Sequence, residues 1–244
     1  MKKVILLFLF FSFVGLYAAT DVPTLNLSLT AADTPKQLVT SLNIVAVLTL
    51  LFLAPSLILV MTTFTRFVIV LGFLRHALGT QQTPPTQVLV MLAMILTFFV
   101  MEPIGIKSYN TGIKPYLDKK IGYEEAFDKT VLPFKNFMIR NTREKDLALF
   151  VRIRKMPNPK NVSDVPLSVV IPAFIISEIK TAFEIGFLLF LPFLIIDMVV
   201  ASILMSMGMM MLPPVMISLP FKILVFILID GWNLLIGNMI AAVK

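Results

Sequence analysis

From residue 185 to residue 207 the sequence reads IGFLLFLPFLIIDMVVASILMSM, an apolar run whose one charged residue is Asp197. This run is long enough for an α-helix to cross the hydrocarbon core of a bilayer, which requires about 20 residues. Comparable apolar runs occupy residues 42–61, 87–100 and 221–241. The sequence therefore predicts an all-α protein with kinked hydrophobic helices in two blocks, residues 42–106 and residues 166–244.

Charge is scarce along the whole chain. Of the 244 residues, 58% are hydrophobic and 14% are charged, whereas soluble proteins carry about 25% charged residues. This composition argues against a soluble single-core enzyme and against a doubly wound α/β fold. The net charge of +7 does not by itself indicate nucleic-acid binding, and we predict no nucleic-acid partner.

The side chains that most metal and nucleophile chemistry requires are almost absent. The chain has no cysteine and one histidine, His76. Disulfides, thiolate metal sites, thiol nucleophiles and the two-histidine zinc motif are therefore excluded. We expect His76 to be a surface residue, and we predict no catalytic residue, no cofactor and no bound metal.

The N-terminus has the pattern of a secretory signal peptide. Lys2 and Lys3 precede a short apolar stretch, and the small residues Ala18 and Ala19 follow it. We predict a signal peptide over residues 1–19 and a polar segment over residues 20–41. The alternative is an uncleaved anchor helix.

The link between the first two apolar runs has the charge pattern of a cytoplasmic loop. Residues 65–85 carry Arg66 and Arg75 but no acidic residue, which is typical of loops kept on that side of the membrane. Residues 67–74 are apolar, so the start of this link could extend the preceding helix.

Most of the charge is concentrated in one central region. Residues 107–165 contain 13 of the 21 basic and 7 of the 14 acidic residues. We predict a small soluble helical domain here, with a helix opening at Glu124 and a second over residues 142–156 that Thr142 caps. The lysines and arginines favour the cytoplasm, whereas a cleaved export signal places the region in the periplasm. We follow the signal, because long polar segments cross membranes with little regard to their charge.

Apart from Lys244, six charged residues lie in the apolar C-terminal block, where an ionised side chain is costly unless it is paired or hydrated. They are Glu178, Lys180, Glu184, Asp197, Lys222 and Asp230. Lys180 and Glu184 are four residues apart, so we expect an i,i+4 pair. Glu178 lies elsewhere around the helix, and Lys222 is a candidate partner, in the same chain or on a neighbouring subunit. The alternative is that Glu178 and Lys222 both lie near water.

Two aspartates in apolar helices raise the question of an aspartyl dyad or a proton relay. Neither Asp197 nor Asp230 stands in the GxGD context of an intramembrane protease. We therefore expect both, with Lys180 and Glu184, to cap helices or to pack one helix against another.

Methionine is concentrated near the C-terminal end of the sequence. Seven methionines fall within 19 residues, at positions 198, 205, 207, 209, 210, 211 and 216. Met209, Met210 and Met211 stand at the break between two long helices. Unbranched thioether side chains adapt to changing surfaces, so this run could form a deformable apolar seal, and core filling is the alternative.

Two stretches resemble the signatures of the FliP family, the flagellar members of the type III secretion export gate. The first reads PAFIISEIKTAFEIGF over residues 172–187, and the second reads PFKILVFILIDGW over residues 220–232. Both are long, chemically mixed and in the order that the family has. The resemblance also covers residues 50–65, 79–85, 142–150 and 209–214.

The resemblance implies a non-enzymatic protein of the bacterial inner membrane and the flagellar basal body. Several copies would assemble with FliQ and FliR into a closed, conical helical pore that lies largely above the membrane plane. Unfolded flagellar subunits would leave the cytoplasm through this pore. FlhA and FlhB would stand below it, and FliO would help its assembly.

The resemblance also implies roles for individual residues. The methionine run 209–211 matches the methionine gasket of the family, and Phe137 matches an aromatic residue that narrows the closed pore. Glu178 and Lys222 match positions that are expected to pair between subunits.

From the residues alone, other classes of protein stay open. A proton-coupled secondary transporter could use Glu178, Lys180, Asp197 and Asp230 as a relay. An intramembrane enzyme is a third reading. A virulence-type secretion gate would show the same physical features as a flagellar one.

Overall fold

A computed structural model describes residues 35–80, 82–157, 164–209 and 212–244. Every regular element in these ranges is helical, which confirms the all-α prediction. The predicted signal peptide, residues 20–34 of the polar segment, and Met210 and Met211 lie outside the described residues.

Three helices precede the charged region. They are α1, Pro35–Val60; α2, Phe64–Leu78; and α3, Thr86–Ser108. α2 ends at Gly79, whose φ of 79° is the left-handed conformation that glycine adopts readily after a helix. Residues 67–74 therefore belong to a helix of their own and do not extend α1.

The charged region is helical, as predicted. α3 continues through a π-helical turn, Tyr109–Ile113, into the short helix α4, Lys114–Leu117; α5 is Tyr123–Asn141 and α6 is Glu144–Ile153. The prediction that Thr142 caps the second long helix is wrong. Its hydroxyl donates to the carbonyl oxygen of Met138, 2.7 Å away at the end of α5, and Arg143 holds the N-cap position of α6.

The C-terminal block contains α7, Leu167–Ser206; α8, Pro214–Leu228; and α9, Gly231–Ala241. It differs from the prediction in two ways. The predicted span 185–207 begins 18 residues earlier, at Leu167, in one continuous helix. The predicted span 221–241 is broken, since α8 and α9 meet at 66° and Asp230 between them has a positive φ of 52°.

α2 forms the centre of the larger hydrophobic core. One of its faces is completely buried, and its members Phe67, Val70, Leu71, Leu74 and Ala77 are all 0% exposed. Their spacing of three and four residues places them on a single helical stripe. This stripe packs against side chains of α3, α7, α8 and α9. The segment that resembles a cytoplasmic loop in sequence is thus a core helix.

A second core joins the charged region to α7. Phe137 and Met138 of α5 pack with Val170 and Phe174 of α7. The rings of Phe137 and Phe174 meet edge to face with their centroids 5.9 Å apart. The charged region and the apolar helices therefore belong to one compact unit, which comprises residues 51–244.

Two described segments are long and apolar enough to cross a membrane. They are Thr86–Leu117, which comprises α3, the π-helical turn and α4, and the whole of α7. The bent pair of α8 and α9 is a third if its two halves count as one span. The fold is thus that of an all-helical membrane protein with two or three candidate spans in its described part.

Candidate functional site

Glu178 of α7 is completely buried and forms a bidentate ion pair with Arg66 of α2. The Arg66 Nε donates to Oε2 of Glu178 at 2.9 Å, and a second guanidinium nitrogen donates to Oε1. The side chains are 2% and 0% exposed. The remaining guanidinium nitrogen donates to the carbonyl oxygen of Ala242 at 2.9 Å, just beyond α9. One guanidinium therefore joins α2, α7 and the end of α9.

Lys222 of α8 is the centre of a second buried polar group. Its Nζ donates to Oδ2 of Asp197 at 2.6 Å and to the carbonyl oxygen of Ala77 at 3.2 Å. Ser218, one turn earlier in α8, donates its hydroxyl to the other oxygen of Asp197. Lys222 is 1% exposed. Because its partners come from α7 and α2, this ammonium group holds α8 against both helices.

Glu178 and Lys222 do not pair with each other within the chain. Each is buried beside a different opposite charge, Arg66 and Asp197 respectively. The pair between subunits stays a prediction, and its formation would require both of these pairs to open. Breaking a buried ion pair by removing one partner costs about 3–5 kcal/mol, so such a rearrangement needs a substantial gain at the subunit interface.

Two ion pairs attach α6 to α7. Lys180 pairs with Asp146, and Arg143 pairs with Glu184 at 2.6 Å. Ser177 lies between them: its hydroxyl donates to Asp146 at 2.8 Å and accepts the backbone N–H of Arg143 at 3.0 Å. We call these five residues the α6–α7 clamp. The predicted i,i+4 pair between Lys180 and Glu184 is wrong, because residues at the start of α6 supply an opposite charge for each of them.

The charges of the clamp shift the pKa values of its groups outside the membrane-spanning segments. Burial alone would raise the pKa of Asp146, but hydrogen bonds from Lys180 and Ser177 and the nearby positive charges hold that pKa below its usual value. The hydrogen bond with Glu184 raises the pKa of Arg143, against the opposing effect of burial. Asp146 and Arg143 are therefore both ionised at neutral pH.

Three of these charged residues were not predicted as contacts from the sequence. The contact of Arg66 could have been suspected from the sequence. Arg66 is the one charge between residues 57 and 74, and a charge in an apolar stretch is either hydrated or paired. The contacts of Arg143 and Asp146 could not have been suspected, since both residues lie among many charges in the polar central region. Nothing local distinguishes them from their solvated neighbours.

Asp230 occupies the N-cap position of α9, but its side chain caps no backbone N–H there. Its Oδ2 accepts a hydrogen bond from the side chain of Asn233 at 3.2 Å. Asp197 and Asp230 share no hydrogen-bond partner, so the geometry does not indicate an aspartyl dyad. Within the described ranges, no group of three or more histidine or acidic side chains is placed to hold a metal ion.

The methionines near the break between α7 and α8 lie on the surface of the chain. Met209 is 37% exposed, and Met205, Met207 and Met216 are 58%, 62% and 72% exposed. These four are therefore not core filler in the single chain. Met210 and Met211, the rest of the predicted gasket, lie outside the described residues.

Phe137, the predicted pore constriction, lies inside the second core. It is 1% exposed and contacts Phe174 through its ring edge. In the single chain this side chain is packed in the core and also borders a surface groove between α3 and α5. A role in narrowing a pore would require that core to open, whereas a packing role requires nothing further.

The second half of α7 presents large apolar side chains to the outside. Phe187, Leu188, Ile195 and Met198 are each at least 60% exposed. We call this surface the distal face of α7. Nothing in the described part of the chain covers it.

Comparison with known proteins assigns the chain to a family. The sequence profile of the FliP family matches residues 47–239. The chain belongs to the FliP family. The flagellar biosynthetic protein FliP of Bacillus subtilis is 52% identical over 210 residues, which cover 86% of this chain and 95% of that protein. Its counterpart in Caulobacter vibrioides is 55% identical over 198 residues, 81% of this chain and 74% of that protein. The Treponema pallidum FliP is 45% identical over 223 residues, 91% and 82% of the two chains.

This FliP chain is a component of the flagellar export apparatus and is not an enzyme. A proton-coupled transporter and an intramembrane enzyme are therefore no longer candidate functions for the carboxylates of the C-terminal block. Asp197, Glu178 and Glu184 instead connect helices through ion pairs. The flagellar name of the three relatives favours a flagellar system over a virulence-type one.

Proposed function

We propose that this FliP chain is a core pore subunit of the flagellar type III protein export gate. Several copies assemble with FliQ and FliR into a closed, conical helical assembly in the bacterial inner membrane, at the flagellar basal body. Unfolded flagellar subunits pass through this assembly. FlhA and FlhB lie below it, FliO assists its formation, and residues 107–165 face the periplasm.

The bent pair of α8 and α9 carries this proposal. α8 has 15 residues and α9 has 11. At 1.5 Å per residue these lengths are about 22 Å and 16 Å, so neither helix crosses a hydrocarbon core of about 30 Å. Exposed Asp230 lies at the 66° break between them. Because a charge and a break in helical hydrogen bonding are costly in lipid, we infer that protein surrounds this pair.

The exposed side chains of α8 then mark a contact with another subunit. Phe221, Leu224, Ile227 and Leu228 are 52–75% exposed, and large apolar patches of this kind are typical of protein interfaces. The distal face of α7 is a second such surface on the same chain. A closed ring of identical subunits joined head to tail uses two different faces of each subunit, and the chain offers two.

The methionine run supplies the seal in this proposal. Met209, Met210 and Met211 lie in the link between α7 and α8, the two helices that carry the exposed apolar surfaces. Their thioether side chains are flexible enough to separate around a passing chain and to close after it. The exposure of Met209 in the single chain supports this role.

Assembly and export together test the proposed function. Leu228→Lys places a charge on the proposed interface, and Leu117→Lys makes the same change at an exposed leucine of α4 (75% and 64% exposed). Each variant is produced with FliQ and FliR for native mass spectrometry, and in a strain lacking the native protein for an assay of hook-subunit secretion. We expect Leu228→Lys to lose both the multi-copy complex and secretion, and Leu117→Lys to retain both. The interface would be refuted if the complex with FliQ and FliR contained a single copy of this chain, or if the two variants assembled and secreted equally.

The seal has a separate test. Replacing methionines 209–211 with alanine removes the thioethers at the predicted constriction, and Met216→Ala removes one outside it. In cells with an assembled gate, we expect the first variant to admit small ions and the second to stay closed. Unchanged permeability in the first variant would contradict the seal.

A further inference from the structure

A groove between α3 and α5 combines apolar walls with positive charge. Its volume is about 490 Å³. The cations Lys107, Arg140 and Lys244 line it beside apolar side chains such as Phe99 and Val100, and no acidic side chain is among its lining residues.

The positions of the groove residues follow from helix geometry. Phe99, Pro103 and Lys107 are four residues apart on α3 and share one face, as Asn136 and Arg140 do on α5. The one acidic residue of this part of α3, Glu102, lies about 100° around the helix from Pro103 and lines a different cavity. The charged side chains that line the groove are therefore all positive.

The groove also extends along α5. A neighbouring cavity of about 350 Å³ shares Lys107, Pro133 and Asn136 with it and adds Lys129. Lys129 is paired with Glu125 at 2.7 Å. Lys107 and Arg140 form no ion pair with a carboxylate in the described ranges, so both can bind an anion from outside the chain.

The groove lies where the apolar part of α3 ends. Residues 86–106 carry one charge, Glu102. These 21 residues extend about 32 Å, which matches a hydrocarbon core of about 30 Å. Lys107 is the first cation after this stretch. In a bilayer it would therefore lie at the level of the lipid headgroups.

We propose that this groove binds an anionic phospholipid. Its phosphate lies between Lys107 and Arg140, and an acyl chain runs along Phe99 and Val100 towards the apolar part of α3. Basic pockets beside membrane-spanning helices are suited to anionic headgroups, and the apolar wall distinguishes a lipid site from a site for free phosphate. The proposal does not depend on the pore function, but it requires that α3 contact lipid in the assembled complex.

Lipid binding is measured on the full chain in complex with its partner subunits in a non-ionic detergent. Phosphatidylglycerol or phosphatidylcholine with the same acyl chains is added, and bound lipid is counted by native mass spectrometry. We expect phosphatidylglycerol alone to be retained. In Lys107→Gln/Arg140→Gln its affinity should fall roughly 30-fold, because each cation near a headgroup contributes about fivefold.

A matched control keeps the same change of net charge. Lys114→Gln/Lys145→Gln alters two lysines that are exposed and lie outside the groove, and we expect it to bind as the parent does. Arg140→Lys retains the charge and should retain most of the binding. All of these side chains are exposed, and an unchanged elution volume in size-exclusion chromatography confirms that each variant is folded.

Four results would overturn the proposal. They are equal retention of the two lipids, unchanged phosphatidylglycerol binding in Lys107→Gln/Arg140→Gln, and binding of free glycerol 3-phosphate as tight as that of the lipid. The fourth is phosphatidylglycerol binding by the chain alone that disappears once the partner subunits are present, which would assign the groove to a protein contact.

Discussion

Each charged residue that is buried in the described part of this chain is paired with an opposite charge, and the pair connects two helices. Arg66 and Glu178 are both shielded from water and satisfy each other. Replacing both members of such a pair with apolar residues of similar size is often neutral or stabilising, whereas removal of one leaves a buried, unpaired charge. The Arg66–Glu178 pair thus adds little net stability compared with apolar residues of similar size. It keeps the helices together because separating the two charges would leave each of them buried and unpaired.

The first prediction concerns this pair in the chain alone. Glu178→Ala should lower the free energy of unfolding by about 3–5 kcal/mol, because Arg66 stays buried without its carboxylate. Glu184→Ala removes a carboxylate from the same helix whose ion pair is largely exposed, and should cost at most about 1 kcal/mol. The combination Arg66→Met/Glu178→Leu should recover most of the loss. Thermal unfolding in detergent, followed by circular dichroism, measures all three. Equal losses in the two single variants would contradict the structural role of the pair.

The second prediction concerns a close approach of α2 and α7 at Gly186. A Cβ atom added at Gly186 would lie 2.4 Å from the ring of Phe73, whereas one added at Gly72 meets nothing within 4 Å. Gly186→Ala should therefore destabilise the chain by about 1–3 kcal/mol through overpacking. Gly72→Ala should be neutral or stabilise it by up to about 1 kcal/mol, because alanine favours the helix. The same unfolding measurement compares them, and a stable Gly186→Ala variant would show that the two helices can separate freely there.

At the level of secondary-structure elements, the α6–α7 clamp determines where α6 lies. α6 has 10 residues, and isolated helices of that length are marginal in water. Its position therefore depends on contacts with α7, and one of these, made by the buried carboxylate of Asp146, depends on pH.

The third prediction is that acid releases α6. The pKa of Asp146 is lower in the folded chain than its usual value. The carboxylate therefore stabilises the fold above the unfolded-state pKa of about 3.9, and this contribution is lost as the pH falls through the folded-state value. As the pH falls from about 5 to about 2, we expect hydrogen exchange in α6 to rise, after correction for intrinsic rates, with little change in α9.

Asp146→Asn is the matched variant for this experiment. It retains the shape of the side chain but lacks the charge, so it should weaken the clamp at neutral pH by about 1–3 kcal/mol and remove the acid step. An acid step that persists in Asp146→Asn would assign the transition to a different group.

At the scale of the whole molecule, the balance between covered and uncovered apolar surface determines what the chain can do alone. The apolar stripe of α2 is completely buried in the larger core, to which α7 also contributes. The distal face of α7 and the exposed side of α8 have no cover in the described part of the chain. Exposed apolar surfaces of this size are typical of sites that contact lipid or another protein.

The fourth prediction uses the absence of cysteine from the sequence, which permits single-cysteine labelling. Leu188→Cys on the distal face of α7 should react with a maleimide when the chain is alone in detergent and be protected in the assembled gate. Lys145→Cys, an exposed position of α6, should react in both states. Val170→Cys, a completely buried position, should react in neither. Equal labelling of Leu188→Cys in the two states would show that assembly leaves the distal face uncovered.

Composition and length were enough to determine the class of this protein. An all-helical membrane chain follows from long apolar runs and scarce charge, because these quantities are summed along the sequence and do not depend on which segments meet. The FliP motifs at residues 172–187 and 220–232 were likewise readable, since they are linear patterns. An N-cap or helix-packing role was predicted for Asp230, but the helix break that makes it the N-cap residue of α9 was not, since residues 221–241 were predicted as one span.

Only the tertiary structure determined the partners of the buried charges and the shape of the C-terminal helices. Glu178 and Arg66 are 112 residues apart, and Lys222 and Asp197 are 25 apart; helical periodicity relates side chains within a few turns and says nothing about such distances. The sequence pattern also could not place α2 at the centre of the core. A single arginine without acidic neighbours is typical of a loop, and only the ion pair with Glu178 shows that Arg66 is buried. Burial, which depends on all neighbours at once, decided which charges pair and which apolar faces remain for other molecules.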